Sequence, residues 1–447
     1  MKFKTLIKNV TTYIVAIMLL LSFSIAHSQD DDFKLTKEMK RQVIDTLVKK
    51  TNNLYVFEDL AKEMTKVILD NYNKGLYSEI DDPNEFAAKI TEDMRSANND
   101  KHFGIRYSPE QIIAMRATDE DAIEEYRNRE LIRAKKRNFA FKEIDILPGN
   151  IGYLRFDQFY DAHLAGETAI AAMNFLANTD AIIFDLRYNG GGSPSMIQLI
   201  TSYLYDEDES RHINSFYFRP TDEYQQFWTL PYVPGNKNPE ADVYVLTSTR
   251  TFSAAEEFTY NLKNMERATI VGETTGGGAH PVDVEILSDE FLVRLPKGRA
   301  VNPITKTNWE GVGIEPHFTV PMKDAKDFAY KLALEKRIEQ ETNEDWKTYY
   351  QWIKDELTAK LNPVKIDTDV LKSYAGVYGP RTLTYEDGVL YYQREDREKM
   401  KMIPLNETIF MFDDVEYFRL KVVKEDGKIT GVEGIYDNGR TDFSPKS

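Results

Sequence analysis

Not one of the 447 residues is a cysteine. That absence excludes disulfides, thiol nucleophiles, zinc–cysteine sites and a lipid anchor carried on cysteine. Histidine is scarce, with 6 in the whole chain, so imidazole chemistry has few carriers. Positive charge is in deficit: 57 Lys and Arg stand against 73 Asp and Glu, a formal net charge of −16. An acidic surface repels nucleic acid and anionic lipid, so neither is expected as a partner. Past the first 28 residues no stretch is apolar enough to span a bilayer. Internal repeats and low-complexity tracts are missing too. What the chain holds in quantity is aromatic, 26 Tyr and 24 Phe within a 42% hydrophobic composition. That content suits two or three folded domains with real cores, not a disordered chain.

The N-terminus carries Lys2, Lys4 and Lys8, then the apolar stretch YIVAIMLLLSFSIA, then AHS before Gln29. A basic head, an apolar core and small residues at the cut are the layout of a secretory signal peptide. An uncleaved anchor is the alternative; Ala26 and Ser28 at the cleavage positions favour removal. Cleavage near Ser28 deletes three lysines and no acids, which takes the net charge to −19. The expected location is the periplasm or the exterior, with no membrane insertion afterwards.

Residues 29–107 read as an N-terminal helical region, because apolar residues recur at three and four with no break in KEMKRQVIDTLVKKTNNLYVFEDLAKEMTKVILDNY. NNDKHFGIRYS interrupts that pattern and turns strand-like. Residues 108–140 form a charged helical connector. From 141 to 330 strands alternate with helices: NIGYLRF, DAIIFDLR, ADVYVLTS and ATIVGET as strands, and HLAGETAIAAMNFLANT, SMIQLITSYLYD and SAAEEFTYNLKNM as helices. The alternation predicts an α/β core with a mainly parallel sheet. The aromatic stretch SFYFRPTDEYQQFW reads as a loop. A helical linker, 331–362, stops at Asn362-Pro363. Residues 363–447 show EDG at 386–388, EDG at 425–427 and NG at 438–439 between short apolar runs, which predicts a small antiparallel β domain.

The chemistry is expected at two strand-to-loop junctions. Ser253 follows the strand VYVLTS and opens a helix. Ser253-Ala254-Ala255-Glu256 is a capping box, so one reading is plain helix capping. The other places the hydroxyl at the carboxyl edge of a parallel sheet, where ligands bind. There the N–H of Ala254, in the first helical turn, lacks an intrahelical partner. About 60 residues upstream lies Asn189-Gly190-Gly191-Gly192. It is either a tight turn or a loop whose N–H groups approach a substrate carbonyl. A second glycine cluster, GETTGGGAHP at 272–281, reads as a flexible loop or a cleft wall. A serine nucleophile needs a base. His27 leaves with the signal peptide, and His163, His212 and His317 read as surface or loop residues. His102 and His280 remain.

DLRYNGGG, LTSTRTFSAAEEF, VGETTGGGAHP and WEGVGIEP occur in that order. Together they resemble the serine peptidase family of the tail-specific (C-terminal processing) proteases and the tricorn core protease. The nearest branch resembles the repeats of interphotoreceptor retinoid-binding protein and its bacterial relatives. The resemblance spans roughly residues 35–325, and SYAGVYGPRTLTYEDGVLYYQR resembles an accessory β module of some bacterial members. It implies a core like that of crotonases and Clp protease. It also implies Ser253 as nucleophile and an oxyanion hole from Gly191, with Gly190 beside it, and Ala254. Tail-specific proteases take a lysine from a G-K-G loop as base; the matching Thr275-Gly276-Gly277-Gly278 has none. Tricorn-like members use a histidine from before the core and a glutamate beyond the nucleophile. By position these are His102 and Glu310, the latter 57 residues after Ser253. Residues 109–140 are too short for the PDZ module of tail-specific proteases.

The function this implies is a periplasmic or secreted serine endopeptidase acting on peptides or unfolded proteins, with no cofactor and no metal. The alternatives are a non-catalytic binding protein for an apolar ligand or glycan on a peptidase scaffold, and an esterase or amidase with the same acyl chemistry.

Overall fold

The computed structural model describes residues 33–447 except 209 and 414. The signal-peptide segment, residues 1–28, lies outside the described residues. No described helix is long and apolar enough to cross a membrane. Contacts divide the chain into two compact units, Met1–Ala117 with Val282–Pro296, and Thr118–Pro281 with Lys297–Ser447.

The first unit holds α1 (Lys37–Leu54), α2 (Glu58–Asn73), α3 (Pro83–Arg95) and α4 (Pro109–Arg116). The Thr36 hydroxyl accepts the Met39 N–H to start α1, and Asp82 accepts the Glu85 N–H to start α3. The three-and-four spacing buries Val43, Ile44 and Leu47 on α1, Ala61, Met64 and Ile68 on α2, and Phe86, Ile90 and Met94 on α3. These pack on a three-stranded sheet in which β1 (Gly104–Tyr107) pairs antiparallel with β10 (Phe291–Pro296), and β10 with β9 (Val282–Ile286). Phe291, Val293 and Leu295 alternate toward the helices, and the Phe86 ring meets the Phe291 ring edge-on at 5.7 Å. The helical region thus draws its sheet from a hairpin inside the stretch read as α/β core, where the even alternation of FLVRL is a strand signal.

The second unit opens with α5 (Glu120–Lys136). It is built on a six-stranded sheet of β2 (Phe141–Leu147), β3 (Ile151–Phe156), β4 (Ala181–Asp185), β7 (Asp242–Thr247), β8 (Ala268–Gly272) and β12 (Phe318–Thr319), in the order β12-β8-β7-β4-β3-β2. All pairings are parallel except β2 with β3. Period two splits each strand between two cores. Ile182, Phe184, Val243 and Val245 face α6 (Ala162–Phe175), α7 (Pro194–Ser202) and α8 (Ala254–Asn264). Ile183, Tyr244 and Leu246 face α9 (Ala325–Gln340) and α10 (Glu344–Leu361). Burial on both sides explains why AIIFD and VYVL read as continuous apolar runs.

The aromatic stretch read as a loop is a hairpin instead. β5 (His212–Phe218) pairs with β6 (Glu223–Trp228), and β11 (Gly298–Val301) adds to β5. Pro220 lies in the turn, where it breaks no ladder bond, and the Phe216 and Phe227 rings meet at 5.8 Å. After α11 (Thr368–Tyr374) come two antiparallel sheets, β13 (Gly376–Tyr378) to β16 (Met400–Lys401) and β17 (Ile403–Pro404) to β21 (Thr441–Pro445). Asp387 and Gly388 have φ of 46° and 88°, and Asp426 and Gly427 50° and 78°, so both EDG turns carry the paired positive φ of tight hairpins.

Candidate active site

Two neighbouring strands, β4 and β7, end side by side at the carboxyl edge of the parallel sheet, and each runs into a loop singled out above. β7 stops at Thr247, and α8 begins at Ala254 with Ser253 before it. Ser253 has φ 57° and ψ −122°. A capping serine takes extended angles; this one sits in a region that L-residues avoid, at a cost of about 1–3 kcal/mol. The Ser253 N–H donates to the Glu256 carboxylate at 2.8 Å, so the glutamate arm of the capping box is present. Strained, half-buried and poised between strand and helix, Ser253 has the backbone of a nucleophile elbow.

The polar residues of TSTRT fix that elbow. Thr251 Oγ1 donates to the Leu186 carbonyl at 2.8 Å, and Ser248 Oγ to the Arg187 carbonyl at 2.5 Å. The Phe252 N–H donates to the Asn189 carbonyl at 3.1 Å. The loop that carries Ser253 is thereby bonded to the backbone leaving β4.

That segment is held in turn by Asp185 and Arg187. Arg187 donates to both Asp185 carboxylate oxygens, at 2.8 and 2.6 Å, and Tyr153 adds its hydroxyl at 2.6 Å. Burial alone would push the Asp185 carboxyl up; the hydrogen bonds and charge of Arg187, with Tyr153, outweigh it and hold the carboxyl below its usual range. The third guanidinium nitrogen of Arg187, Nη1, donates to the Met322 carbonyl at 2.6 Å.

The glycine loop departs from expectation in one respect. The Gly191 N–H donates to Asn189 Oδ1 at 2.9 Å, and the Gly190 N–H makes a long bond, 3.4 Å, to the Asp157 carbonyl. Asn189 is fully buried and its amide also donates to the Phe156 carbonyl at 2.8 Å. The amides of Gly192 and Ala254 find no acceptor among the described residues. Gly191 contributes space: at φ +105°, a Cβ there would stand 2.6 Å from Ser253 Cβ. Gly192, at φ +144°, lies against the Phe159 carbonyl, 1.9 Å from where its Cβ would be.

Glu256 ties the second glycine cluster to Ser253. Its buried carboxylate accepts from Thr275 Oγ1 at 2.5 Å, Gly277 N–H at 2.6 Å and Gly278 N–H at 2.9 Å, besides Ser253. Burial raises its pKa, and the hydroxyl and three amides only partly offset that. WEGVG closes the other side. Trp309 Nε1 donates to the Gly278 carbonyl at 2.8 Å, and the Gly311 N–H to the Gly277 carbonyl at 3.1 Å. Glu310 accepts the Ala279 N–H at 2.5 Å and lies 3.5 Å from His280 Nδ1. Within the second unit, then, Glu310 meets the other histidine retained from the sequence.

His102 belongs to the first unit and is 2% exposed. Its own N–H donates to Asp100 Oδ1 at 2.9 Å, and Tyr55 donates to Asp100 Oδ2 at 2.8 Å. Arg95 donates to the carbonyls on either side, Lys101 at 2.8 Å and Phe103 at 2.6 Å. The turn is clamped from both flanks. The set-aside histidines have local tasks: His212 stacks on Trp228 at 4.5 Å, and His317 Nδ1 accepts the Ile270 N–H at 2.9 Å.

Residues 150–320 match the model of peptidase family S41, and residues 34–140 match the N-terminal domain of peptidase S41 in eukaryotic IRBP. The chain belongs to peptidase family S41. It is a serine-type peptidase. Solved structures similar to this S41 chain include a protein of Parabacteroides merdae ATCC 43184, with 19% identity, a TM-score of 0.47, and coverage of 66% of this chain and 96% of that one. The photosystem II D1 C-terminal processing protease gives 14%, 0.39, 65% and 94% in the same terms. The tricorn protease gives 14%, 0.43, 67% and 37%.

The sequence shows Asn189 only as the head of a glycine loop and Glu256 only as a capping residue, and it gives Asp185 and Arg187 no role. Their signal was available: an acid, an arginine and an amide at the end of an apolar strand, and an acid in the first turn of a helix, where buried polar groups must be paired.

Proposed function

We propose that this S41 peptidase is an exported serine endopeptidase that cleaves peptides or unfolded proteins through an acyl-enzyme on Ser253. In this reading His102 takes the Ser253 hydroxyl proton as Oγ attacks the scissile carbonyl. It returns the proton to the amine as the C–N bond breaks, and water then releases the acyl group. Glu310 orients and supports the imidazolium. Ala254 N–H and the unpaired Gly192 N–H hold the oxyanion, while Gly191 keeps the approach to Ser253 clear.

The observation that carries the reading is the Ser253 backbone, φ 57° and ψ −122°, with Gly191 stripped of a side chain against it. A capping role supplies no reason for that strain. The test compares the mature chain, residues 29–447, with its Ser253→Ala variant on unfolded casein and quenched fluorescent peptides at about pH 8. Cleavage by the parent and none by the variant is expected. Equal cleavage by both, or a folded parent that cleaves nothing, contradicts the proposal. His102→Ala and His280→Ala separate the two histidines: the first should abolish turnover, and the second should leave a measurable rate.

A further inference from the structure

Glu310 sits in a closed circuit of hydrogen bonds that lies wholly inside the second unit. Its carboxylate oxygen Oε2 accepts the Ala279 N–H at 2.5 Å. The Ala279 carbonyl accepts the Ala300 N–H at 3.2 Å, and the Ala300 carbonyl accepts the Asn308 side-chain amide at 2.8 Å. Asn308 Oδ1 then accepts the N–H of Glu310 itself at 3.0 Å. Backbone and side chain of Glu310 are both tied into this circuit. A single N–H on one oxygen does not by itself fix the plane of a carboxylate.

His280, the residue after Ala279, supplies a second contact. It is 5% exposed, and its Nδ1 lies 3.5 Å from the same Oε2. A carboxylate only accepts, so the facing Nδ1 carries its proton. Pro281 follows and restricts the His280 backbone to extended angles, and the Pro281 carbonyl accepts the Lys297 N–H at 3.2 Å. The other end of the loop is fixed as well. Gly277 and Gly278 donate to Glu256, which also accepts the Ser253 N–H. Residues 277–280 so connect the backbone of Ser253 to the carboxylate of Glu310. Packing is the bland reading of a buried histidine, since Ala279 belongs to a small core with Ala300, Trp309 and Ile314. Leucine would serve packing as well; an imidazole adds a donor facing a carboxylate.

We propose that His280 is a positioning residue of this peptidase, whose Nδ1–H holds the Glu310 carboxylate in the orientation that supports the base. The proposal rests on the reading of Glu310 as the orienting acid. It adds a residue that acts only through Glu310. Two donors, the Ala279 N–H and the His280 ring, converge on Oε2 and fix both that oxygen and the carboxylate plane.

The experiment compares the mature chain with His280→Leu and His280→Asn, each alone and combined with Glu310→Ala, on the quenched fluorescent peptides. Asn places an amide N–H where Nδ1 stands; Leu fills the space without a donor. His280→Leu should lower kcat by about ten- to a hundredfold with KM nearly unchanged, and His280→Asn should recover most of that loss. A packing role gives the opposite order, because a buried amide costs more than a methyl group. In Glu310→Ala, adding His280→Leu should cost less than about twofold more, since nothing is left to hold. Equal losses in both backgrounds overturn the proposal, as does the packing order. A slowed Glu310→Ala beside a fully active His280→Leu overturns the proposal alone. A parental rate in Glu310→Ala overturns the reading of Glu310 and the proposal with it. Ser253→Ala labelled with ¹⁵N-histidine gives a readout that needs no turnover. The His280 signal, assigned by its loss in His280→Asn, should report a protonated Nδ1 and should shift in Glu310→Ala. An unprotonated Nδ1, or a signal indifferent to Glu310, overturns the proposal.

Discussion

The Cα of Gly191 faces Ser253 so closely that a methyl group there would lie 2.6 Å from Ser253 Cβ and 2.9 Å from the Phe252 carbonyl oxygen. Gly191→Ala therefore pushes the Ser253 loop away or forces the glycine loop out of a φ of +105°. Displacement of about 1 Å at a reacting group costs about 100-fold in rate. We expect Gly191→Ala to fold and to lose at least that much kcat/KM. Activity near that of the parent would mean that Gly191 does not shape the site.

Glu256 is the second point of leverage. Its carboxylate accepts from Ser253, Thr275, Gly277 and Gly278. Glu256→Gln turns an acceptor oxygen into a donor that faces other donors. The expected cost is about 2–4 kcal/mol in urea unfolding, with a loss of turnover beyond what the remaining folded fraction explains. An unchanged midpoint would show that the second glycine cluster does not depend on this carboxylate.

Asp185→Asn addresses the end of β4. It leaves Arg187, 8% exposed, without its charge partner. Removing one member of a buried pair costs about 3–5 kcal/mol, so the variant should melt well below the parent. A melting temperature within a degree or two of the parent would overturn that account of the D-x-R motif.

Much of this site was legible in the sequence because its loops carry residues with few other uses. Ser253 at the head of SAAE and glycine clusters after buried strands mark a sheet edge. The asparagine's role was hidden: Asn189 takes the Gly191 N–H that the motif suggested was free, and no spacing rule shows where a side-chain amide turns. The hairpin Val282–Pro296 was hidden for another reason. Its partners, β1 and the helices before it, lie far away in sequence, and periodicity reports a strand but not its mate. The β5–β6 hairpin was misread because its proline sits in the turn and not in a strand.

Glu257 offers a pH test. It is 3% exposed, and burial pushes its carboxyl up to about 8, offset in part by an Asn214 amide bond of 3.2 Å. A folded-state value above the unfolded one means that the native state holds a proton that the unfolded chain releases. Its stabilising share is full below the unfolded pKa of about 4.5 and falls by about 1.4 kcal/mol per pH unit up to about 8. Glu257→Gln should flatten the fall in stability across that window. Identical pH profiles for variant and parent would place the proton elsewhere.

The most direct measurement is covalent. The mature chain is treated with a fluorophosphonate, which reacts with an activated serine hydroxyl, and the adduct is located by peptide mass mapping. The account predicts a single adduct on Ser253, absent from folded Ser253→Ala and suppressed in His102→Ala. An adduct on another residue, or equal labelling of parent and Ser253→Ala, would contradict it.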